Sequence, residues 1–226
     1  MACLYLMRDK LHEITVLWAN TGKNYPELLQ TVEKAKAMCP HWIEVRADRD
    51  AQWNANGLPS DIVPIDWTVM GQAISSKKQV TIQSYLQCCF ENITGPLLRK
   101  TKALGATTVI KGQRLDESHR STAKSGDVAD GITFIHPIEN WTREGVMTYL
   151  SGQMDVPEHF KLDHSSMDCY DCTAFAAHSV DRAEFMRAEH PSLYEQYIQN
   201  LDLVMDAIAK PFSHYQQIRG ASCHSA

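Results

Sequence analysis

Short apolar runs alternate with amphipathic segments along most of the chain. Residues 14–19 and 42–46 are rich in β-branched and aromatic side chains and predict strands. Between them, Pro26 stands where a helix can begin, and apolar side chains follow it at helical spacing. The polar residues 47–60 predict a loop. This part of the chain is therefore expected to form a strand, a helix, a second strand and a loop.

The alternation continues in the middle of the chain. Residues 96–104 predict a helix that Gly105 ends, because glycine favours the left-handed backbone that commonly follows a helix. Residues 107–110 and 132–135 predict two further strands. The polar run at 116–130, which joins them, predicts an exposed loop of the kind that often carries function.

The last part of the chain has a different pattern. A helix is predicted near residues 143–150, and from 193 to 208 the apolar side chains keep one face over several turns, which predicts a long helix. Pro211 is expected to end that helix because proline cannot donate the next backbone hydrogen bond. The residues after it predict a polar tail.

Strands that alternate with helices predict an α/β fold, a mostly parallel sheet with helices on both faces. We assign residues 1–178 to this domain and residues 179–226 to a C-terminal helix and tail. In such folds ligands bind outside the carboxyl ends of the strands. Asn20-Thr21-Gly22 and Gly112-Gln113-Arg114 lie at two such ends.

Composition and charge narrow the choice of partners. The chain has 226 residues, 44% of them hydrophobic, and a net charge of −5. A chain of this length can bury a core without disulfides or metals. The acidic balance disfavours nucleic acid and anionic membranes, so an anionic ligand has to be held by a local cluster. Neither a membrane span nor a basic leader is evident, which predicts a cytoplasmic protein.

Four of the seven cysteines form two pairs, Cys88-Cys89 and Cys169-Tyr170-Asp171-Cys172. Four thiolates suit a [4Fe-4S] cluster or a structural zinc ion. Adjacent ligands favour the cluster, since neighbouring side chains diverge and can reach different irons. Two alternatives stay open: the first pair as small buried hydrophobic residues, and the second pair as a redox dithiol.

Several segments in order resemble one enzyme family. These are residues 18–27 with Asn20-Thr21-Gly22 and a following Pro-Glu, residues 112–120 with two arginines, and residues 136–142 with His-Pro-Ile and Trp-Thr. Together with the cysteines they resemble the phosphoadenosine phosphosulfate and adenosine phosphosulfate reductases, which have the adenine-nucleotide α-hydrolase-like fold. The resemblance covers the chain to about residue 175. The cysteine arrangement is similar to the branch of that family that carries a [4Fe-4S] cluster.

The resemblance implies a reaction and a set of site residues. A cysteine thiolate attacks the sulfur of a nucleotide-linked sulfate, the adenine nucleotide leaves, and a thioredoxin-like thiol donor releases sulfite from the S-sulfonate. Arginine forks and backbone amides would hold the dense anion. The implied substrate-binding residues are Thr21, Gly22, Gly112, Arg114 and Arg120, and the implied cluster ligands are Cys88, Cys89, Cys169 and Cys172.

The chain also departs from the family pattern. Residues 1–7 resemble the helix that follows the family's phosphate loop, so that loop is expected to be missing. Phe90-Glu91-Asn92 replace the basic residues that usually follow the cysteine pair, so a cation beside the cluster is not evident from the sequence. Asn20 stands where the family has aspartate. In place of the family's catalytic Glu-Cys-Gly, the tail has Cys223 beside His224, and Cys223 is the candidate nucleophile.

Three functions fit these observations. The first is a reductase of nucleotide-linked sulfate with Cys223 as nucleophile. The second is a sulfurtransferase of the same fold that thiolates nucleic acid after adenylating it, which requires ATP and is disfavoured by the missing loop. The third is a catalytically silent nucleotide-binding or partner-binding protein that holds a cluster or a zinc staple. A homo-oligomer is compatible with all three.

Overall fold

The computed structural model describes residues 1–75, 82–117, 123–157, 160 and 168–221. The strands are β1 (Thr15–Asn20), β2 (His41–Arg46), β3 (Leu58–Ser60), β4 (Ile82–Ser84), β5 (Thr108–Ile110), β6 (Val128–Ala129) and β7 (Ile132–Ile135). The helices are α1 (Ala2–Leu6), α2 (Pro26–Met38), α3 (Arg49–Asn56), α4 (Val69–Ser75), α5 (Tyr85–Cys89), α6 (Gly95–Ala103), α7 (Arg143–Ser151), α8 (Val180–Glu189) and α9 (Pro191–Ala221). Within these ranges, no helix combines the length and the apolar character needed to cross a membrane.

The chain divides into two compact units that interleave along the sequence. The first comprises Met1–Ala19, Pro26–Val45 and Pro96–Lys161. The second comprises Asn20–Tyr25, Arg46–Gly95 and Leu162–Ala226. The predicted division into a domain at 1–178 and a C-terminal segment at 179–226 stays a prediction.

The first unit contains a three-stranded sheet. Strands β5 and β7 are parallel with Val109 opposite Phe134, and β6 adds to β7 in the antiparallel direction. Strands β1 and β2 pair with each other. A buried cluster of Ala2, Ile138 and Leu150 forms part of the core of this unit, where α1 packs near α7.

The second unit is built around a short parallel pair. Strands β3 and β4 are parallel with Pro59 opposite Gln83. Ile82 on β4 packs with Val204 and Ala207 of α9, and all three are buried. Parallel strand pairs and helices in both units confirm the predicted α/β class.

The expectation of a loop over residues 47–60 was wrong. That segment contains α3 and β3. The Asp48 carboxylate accepts a hydrogen bond from the Ala51 backbone N–H at 3.0 Å and so caps the start of α3. Gly57, with a φ of +87°, ends the helix. The helix is mostly polar, and so a search for apolar periodicity does not find it.

The expectation that Pro211 ends the C-terminal helix was also wrong. Helix α9 contains Pro211 in its interior and extends to Ala221. Proline removes one backbone hydrogen bond but adopts a helical φ, so a long helix can continue past it at a cost in stability. Residues 222–226 of the predicted tail lie outside the described part of the chain.

Gly105 follows α6 with a φ of +64°, as the sequence predicted. Replacement by alanine is expected to destabilise the protein by about 1 kcal/mol, because a Cβ disfavours the left-handed backbone. A Cβ at Gly105 would meet no atom within 4 Å, so the cost comes from the backbone alone. Unfolding in urea measures it.

Gly220 provides the matched control for this prediction. It also leaves space for a Cβ, but it lies in α9 without a positive φ. Gly220→Ala is expected to leave stability unchanged or raise it by up to about 1 kcal/mol. Equal effects of the two substitutions would contradict the assignment of the Gly105 cost to its backbone.

Candidate functional site

The first cysteine pair lies at the end of α5. Cys88 is buried and Cys89 is half-buried. The Trp53 indole Nε1–H donates a hydrogen bond to Cys88 Sγ at 3.2 Å. The Asn92 amide donates to the Cys88 carbonyl at 2.9 Å and lies 3.6 Å from Cys88 Sγ. Two N–H donors therefore surround this sulfur, which favours its thiolate form.

The second pair lies in a loop that is fastened to the end of β1. The Cys172 backbone N–H donates to the Cys169 carbonyl at 3.3 Å, which closes a turn between the two cysteines. Just before this turn, the Asp168 carbonyl accepts hydrogen bonds from the Thr21 hydroxyl at 2.5 Å and from the Asn24 amide at 3.0 Å. The segment after β1 thus fixes where the Cys-x-x-Cys turn lies.

The structure brings all four of these cysteines into the second unit, close enough for their charges to interact. Burial raises the pKa of each of the thiols of Cys88, Cys89, Cys169 and Cys172. For Cys89 the pKa rises to about 12, first through burial and then through the neighbouring Cys172 and Cys88. For Cys169 the charge of Arg49 opposes the effect of burial. Four thiolates are thus costly here unless positive charge compensates them.

Arg49, the first residue of α3, is a buried cation beside this site. Its side chain and that of Asp171 are each only 3% exposed, and Nη2 of Arg49 lies 2.5 Å from Oδ1 of Asp171. The guanidinium also stacks on the Trp53 ring, with Cζ 3.5 Å from the ring centroid. Arg49 therefore contacts a residue between the cysteines of the second pair and the residue that bonds to Cys88.

A second buried arginine lies on α8. The Arg182 Nη2 donates to the Cys172 carbonyl at 2.8 Å and to the Ser179 hydroxyl at 3.0 Å. From the sequence no cation beside the cysteines was evident, because Phe90-Glu91-Asn92 replace the expected basic residues. The structure places two cations there, Arg49 and Arg182, and both come from segments distant in sequence from Cys88-Cys89.

The side chains around the cysteines fit a negatively charged metal centre. Arg49 Nε and Nη1 and Arg182 Nε are buried with no hydrogen-bond partner among the described residues. Two buried arginines, Arg49 and Arg182, lie near the cysteines, where Asp171 is a buried carboxylate and Asp168 a half-buried one. The arginines favour the negative charge that metal-bound thiolates supply. The described part of the chain contains no group of three or more His, Cys, Asp or Glu side chains placed to hold one metal ion. The fit therefore rests on the four thiols and their surroundings.

A cavity of about 150 Å³ lies in the same unit, at the carboxyl ends of β1 and β2. Gly22, with a φ of +76°, gives the chain a tight turn there, and its N–H donates to the Asn20 side-chain oxygen at 2.8 Å. The residues that line the cavity are Asn20, Thr21, Gly22, Lys23, Arg46, Ala47, Asp48, Arg49 and Asp50. Three basic side chains outnumber the two carboxylates in this lining, and together with the strand-end turn they are suited to an anionic group.

The other predicted substrate residues are in the first unit or outside the described residues. Arg114 pairs with Asp116 at 2.8 Å and with Glu117 at 3.2 Å. At Gly112 a Cβ would lie 3.4 Å from the sulfur of Cys3, so the backbone passes close to that side chain. Arg120 and Cys223 lie outside the described part of the chain.

The sequence did not reveal several residues that shape this site. Arg49, Trp53 and Arg182 contact the cysteine segments only through the folded structure. One signal was present: Asp171 lies between the two cysteines of the Cys-x-x-Cys turn, where a buried carboxylate requires a partner. The identity of that partner could not be read from the sequence, because Arg49 is 122 residues away along the chain.

The comparison with protein families agrees with the resemblance in the sequence. A family model described as the phosphoadenosine phosphosulfate reductase domain matches residues 1–175. The chain is also similar to the crystal structure of a phosphoadenylyl-sulfate (PAPS) reductase from Candida auris in a phosphate complex. The TM-score is 0.45 at 17% identity, over 74% of this chain and 73% of that chain. No curated protein matches this sequence significantly.

Proposed function

This chain belongs to the phosphoadenosine phosphosulfate reductase domain family, and from that premise we propose that it reduces a nucleotide-linked sulfate to sulfite. One observation carries the proposal. Thr21 and Arg49 line the cavity at the ends of β1 and β2. The same two residues lower the pKa of the Cys169 thiol, against the larger opposite effect of burial. An anion in this cavity would thus lie beside the cysteine site, in an electrostatic environment shared with it.

The substrate in this proposal is an adenine nucleotide that carries a sulfate. The cavity offers Lys23, Arg46 and Arg49 as cations and the turn at Gly22 as a close approach of backbone. Arginine and backbone donors stabilise dense anions and the charge that develops on a leaving phosphate. Arg114, Gly112 and Arg120 remain proposed contributors from the substrate loop.

The proposed nucleophile is Cys223. Its thiolate attacks the sulfate sulfur, a bond forms between the two sulfurs, and the bond from that sulfur to the phosphate oxygen breaks. The nucleotide leaves with the bonding electron pair. A thioredoxin-like dithiol then attacks Sγ of Cys223, sulfite leaves, and the second thiol of the donor closes a disulfide that frees Cys223.

The proposed cofactor is a [4Fe-4S] cluster held by Cys88, Cys89, Cys169 and Cys172, with a zinc ion as the alternative. When bound, it would supply a compact metal centre that supports the anion site electrostatically. The residues around it would hold its ligands: Trp53 and Asn92 on the first pair, and the Thr21 and Asn24 segment on the second. A cytoplasmic location stays a prediction.

A sulfite-release assay tests this function directly. With adenosine phosphosulfate or phosphoadenosine phosphosulfate and a thioredoxin system, we expect sulfite from the native chain and a fall of at least about a thousandfold in Cys223→Ser, because the attacking atom is gone. Without a donor, the native chain should gain the mass of one SO₃ group, and Cys223→Ser should not.

Cys39→Ser is the matched control, since Cys39 is a free cysteine of the first unit. It should keep the activity of the native chain. Native rates in Cys223→Ser would contradict the nucleophile assignment. Nucleotide binding without sulfite release in the loaded native protein would favour the silent binding protein, and ATP-dependent thiolation of nucleic acid would favour the sulfurtransferase.

A further inference from the structure

Arg49 contacts the loop of the second cysteine pair directly and is linked to Cys88 through Trp53, and no other buried cation in the described residues makes this pair of connections. Its Nη2 pairs with Asp171, which lies between Cys169 and Cys172. Its guanidinium stacks on Trp53, whose Nε1–H bonds to Cys88 Sγ at 3.2 Å. Two short chains of contacts thus lead from one side chain to the two cysteine pairs.

The surroundings of Arg49 keep it in place. Asp48 caps the start of α3, so the backbone of Arg49 is fixed at the first turn of that helix. The Asp171 backbone carbonyl accepts a further hydrogen bond from the Asn200 amide at 3.3 Å, which anchors the partner residue as well. Both side chains of the ion pair are almost completely buried. We therefore expect the position of α3 to determine the position of the turn that carries Cys169 and Cys172.

Packing alone does not account for a charge at this position. Burying an ion pair costs desolvation energy that its own attraction only partly recovers, and an apolar side chain of similar volume is often as stable. Nε and Nη1 of Arg49 are also buried without a hydrogen-bond partner in the described ranges. A cation with two unused donors fits a site that gains negative charge when its cofactor binds.

We propose that Arg49 is a positioning residue of the cysteine site. Through Asp171 and Trp53 it holds the two cysteine pairs in their relative positions, and its positive charge raises the reduction potential of the metal centre that they would carry. This inference rests on the proposed function, since it requires the four cysteines to hold an iron–sulfur cluster. A positive charge stabilises the reduced form of a cluster, because reduction adds negative charge. Removal of that charge therefore shifts the potential to more negative values.

The test compares the native protein with Arg49→Met, Arg49→Lys and Arg187→Met, all reconstituted with iron and sulfide without oxygen. Arg187 is an exposed arginine on α8 and serves as the charge-matched control. The readouts are iron per chain, the midpoint potential of the cluster and the electron paramagnetic resonance spectrum of its reduced form. We expect Arg49→Met at the most negative potential, Arg49→Lys between it and the native protein, and Arg187→Met at the native value.

Each outcome decides the proposal. Native potential and spectrum in Arg49→Met, or equal potentials in the methionine and lysine variants, would overturn the role of Arg49 and leave the proposed cluster intact. If Arg49→Met does not fold, Arg49→Lys decides the positioning role: lysine keeps the charge but lacks the planar fork that stacks on Trp53 and pairs with Asp171, so native iron content and a native spectrum in it would overturn that role. A native protein that takes up no iron would overturn the cluster itself, and with it this role.

Discussion

Cys88→Ser and Cys169→Ser are each expected to abolish iron binding, although they lie in segments far apart in the sequence. The native protein, purified without oxygen, should contain about four irons and matching sulfide per chain and show broad visible absorbance. Each variant removes one of four thiolate ligands, and a serine hydroxyl is a poor substitute for a soft thiolate at a cluster. Metal and sulfide analysis of the same samples, with the visible spectrum, measures the effect.

Two comparisons make this result specific. Cys39→Ser replaces a buried free cysteine of the first unit and should keep the full iron content. Loss of iron in Cys169→Ser but not in Cys88→Ser would instead support the alternative that Cys88 and Cys89 are small buried hydrophobic residues. One zinc ion per chain in place of iron would indicate that the four cysteines hold a structural zinc ion and not an iron–sulfur cluster.

The elements that could be predicted from the sequence are those with a local cause. Strand β1, helix α2 from Pro26 and strand β2 follow from β-branched runs and a proline at a helix start. The stop at Gly105 follows from its positive φ. In each case a few neighbouring residues determine the backbone, so no knowledge of the rest of the fold is required.

The two wrong predictions, for residues 47–60 and for Pro211, arise from tertiary interactions that the local sequence pattern does not contain. Helix α3 is polar and short, and it depends on a cap from Asp48 and on the burial of Arg49. Helix α9 passes through Pro211 because its earlier turns pack on Ile82 through Val204 and Ala207. Tertiary packing thus outweighs the local signals in both places.

The same difference between local signals and tertiary contacts explains which parts of the candidate site could be predicted. The two cysteine pairs and the turn at Gly22 are sequence features that can be recognised by residue type and spacing. The residues that compensate their burial, Arg49 and Arg182, have no such spacing, because each touches the cysteine loop through the fold. A motif reveals the ligands of a site, but the charge that balances them emerges only from the three-dimensional contacts.

Arg182→Ala is expected to destabilise the folded protein by roughly 3–5 kcal/mol. The side chain is among the largest that are completely buried, so its removal leaves a cavity with a cost similar to that of other large-to-small core substitutions. It also leaves the Cys172 carbonyl without the Arg182 donor, and an unsatisfied buried group costs about 1–3 kcal/mol, whereas the Ser179 hydroxyl keeps its hydrogen bond to the Phe175 carbonyl. The substitution also removes the desolvation cost of one buried charge, and this gain offsets part of the two losses.

Arg187→Ala on the same helix controls for charge and helix propensity, because Arg187 is exposed. Urea unfolding followed by circular dichroism should place Arg187→Ala within about 0.5 kcal/mol of the native protein. Equal unfolding midpoints for both variants would mean that the contacts of Arg182 contribute little to stability. Arg182 donates a hydrogen bond to the carbonyl of Cys172. A large loss of stability in Arg182→Ala would therefore mean that one side chain stabilises both the fold of the second unit and the turn that carries its second cysteine pair.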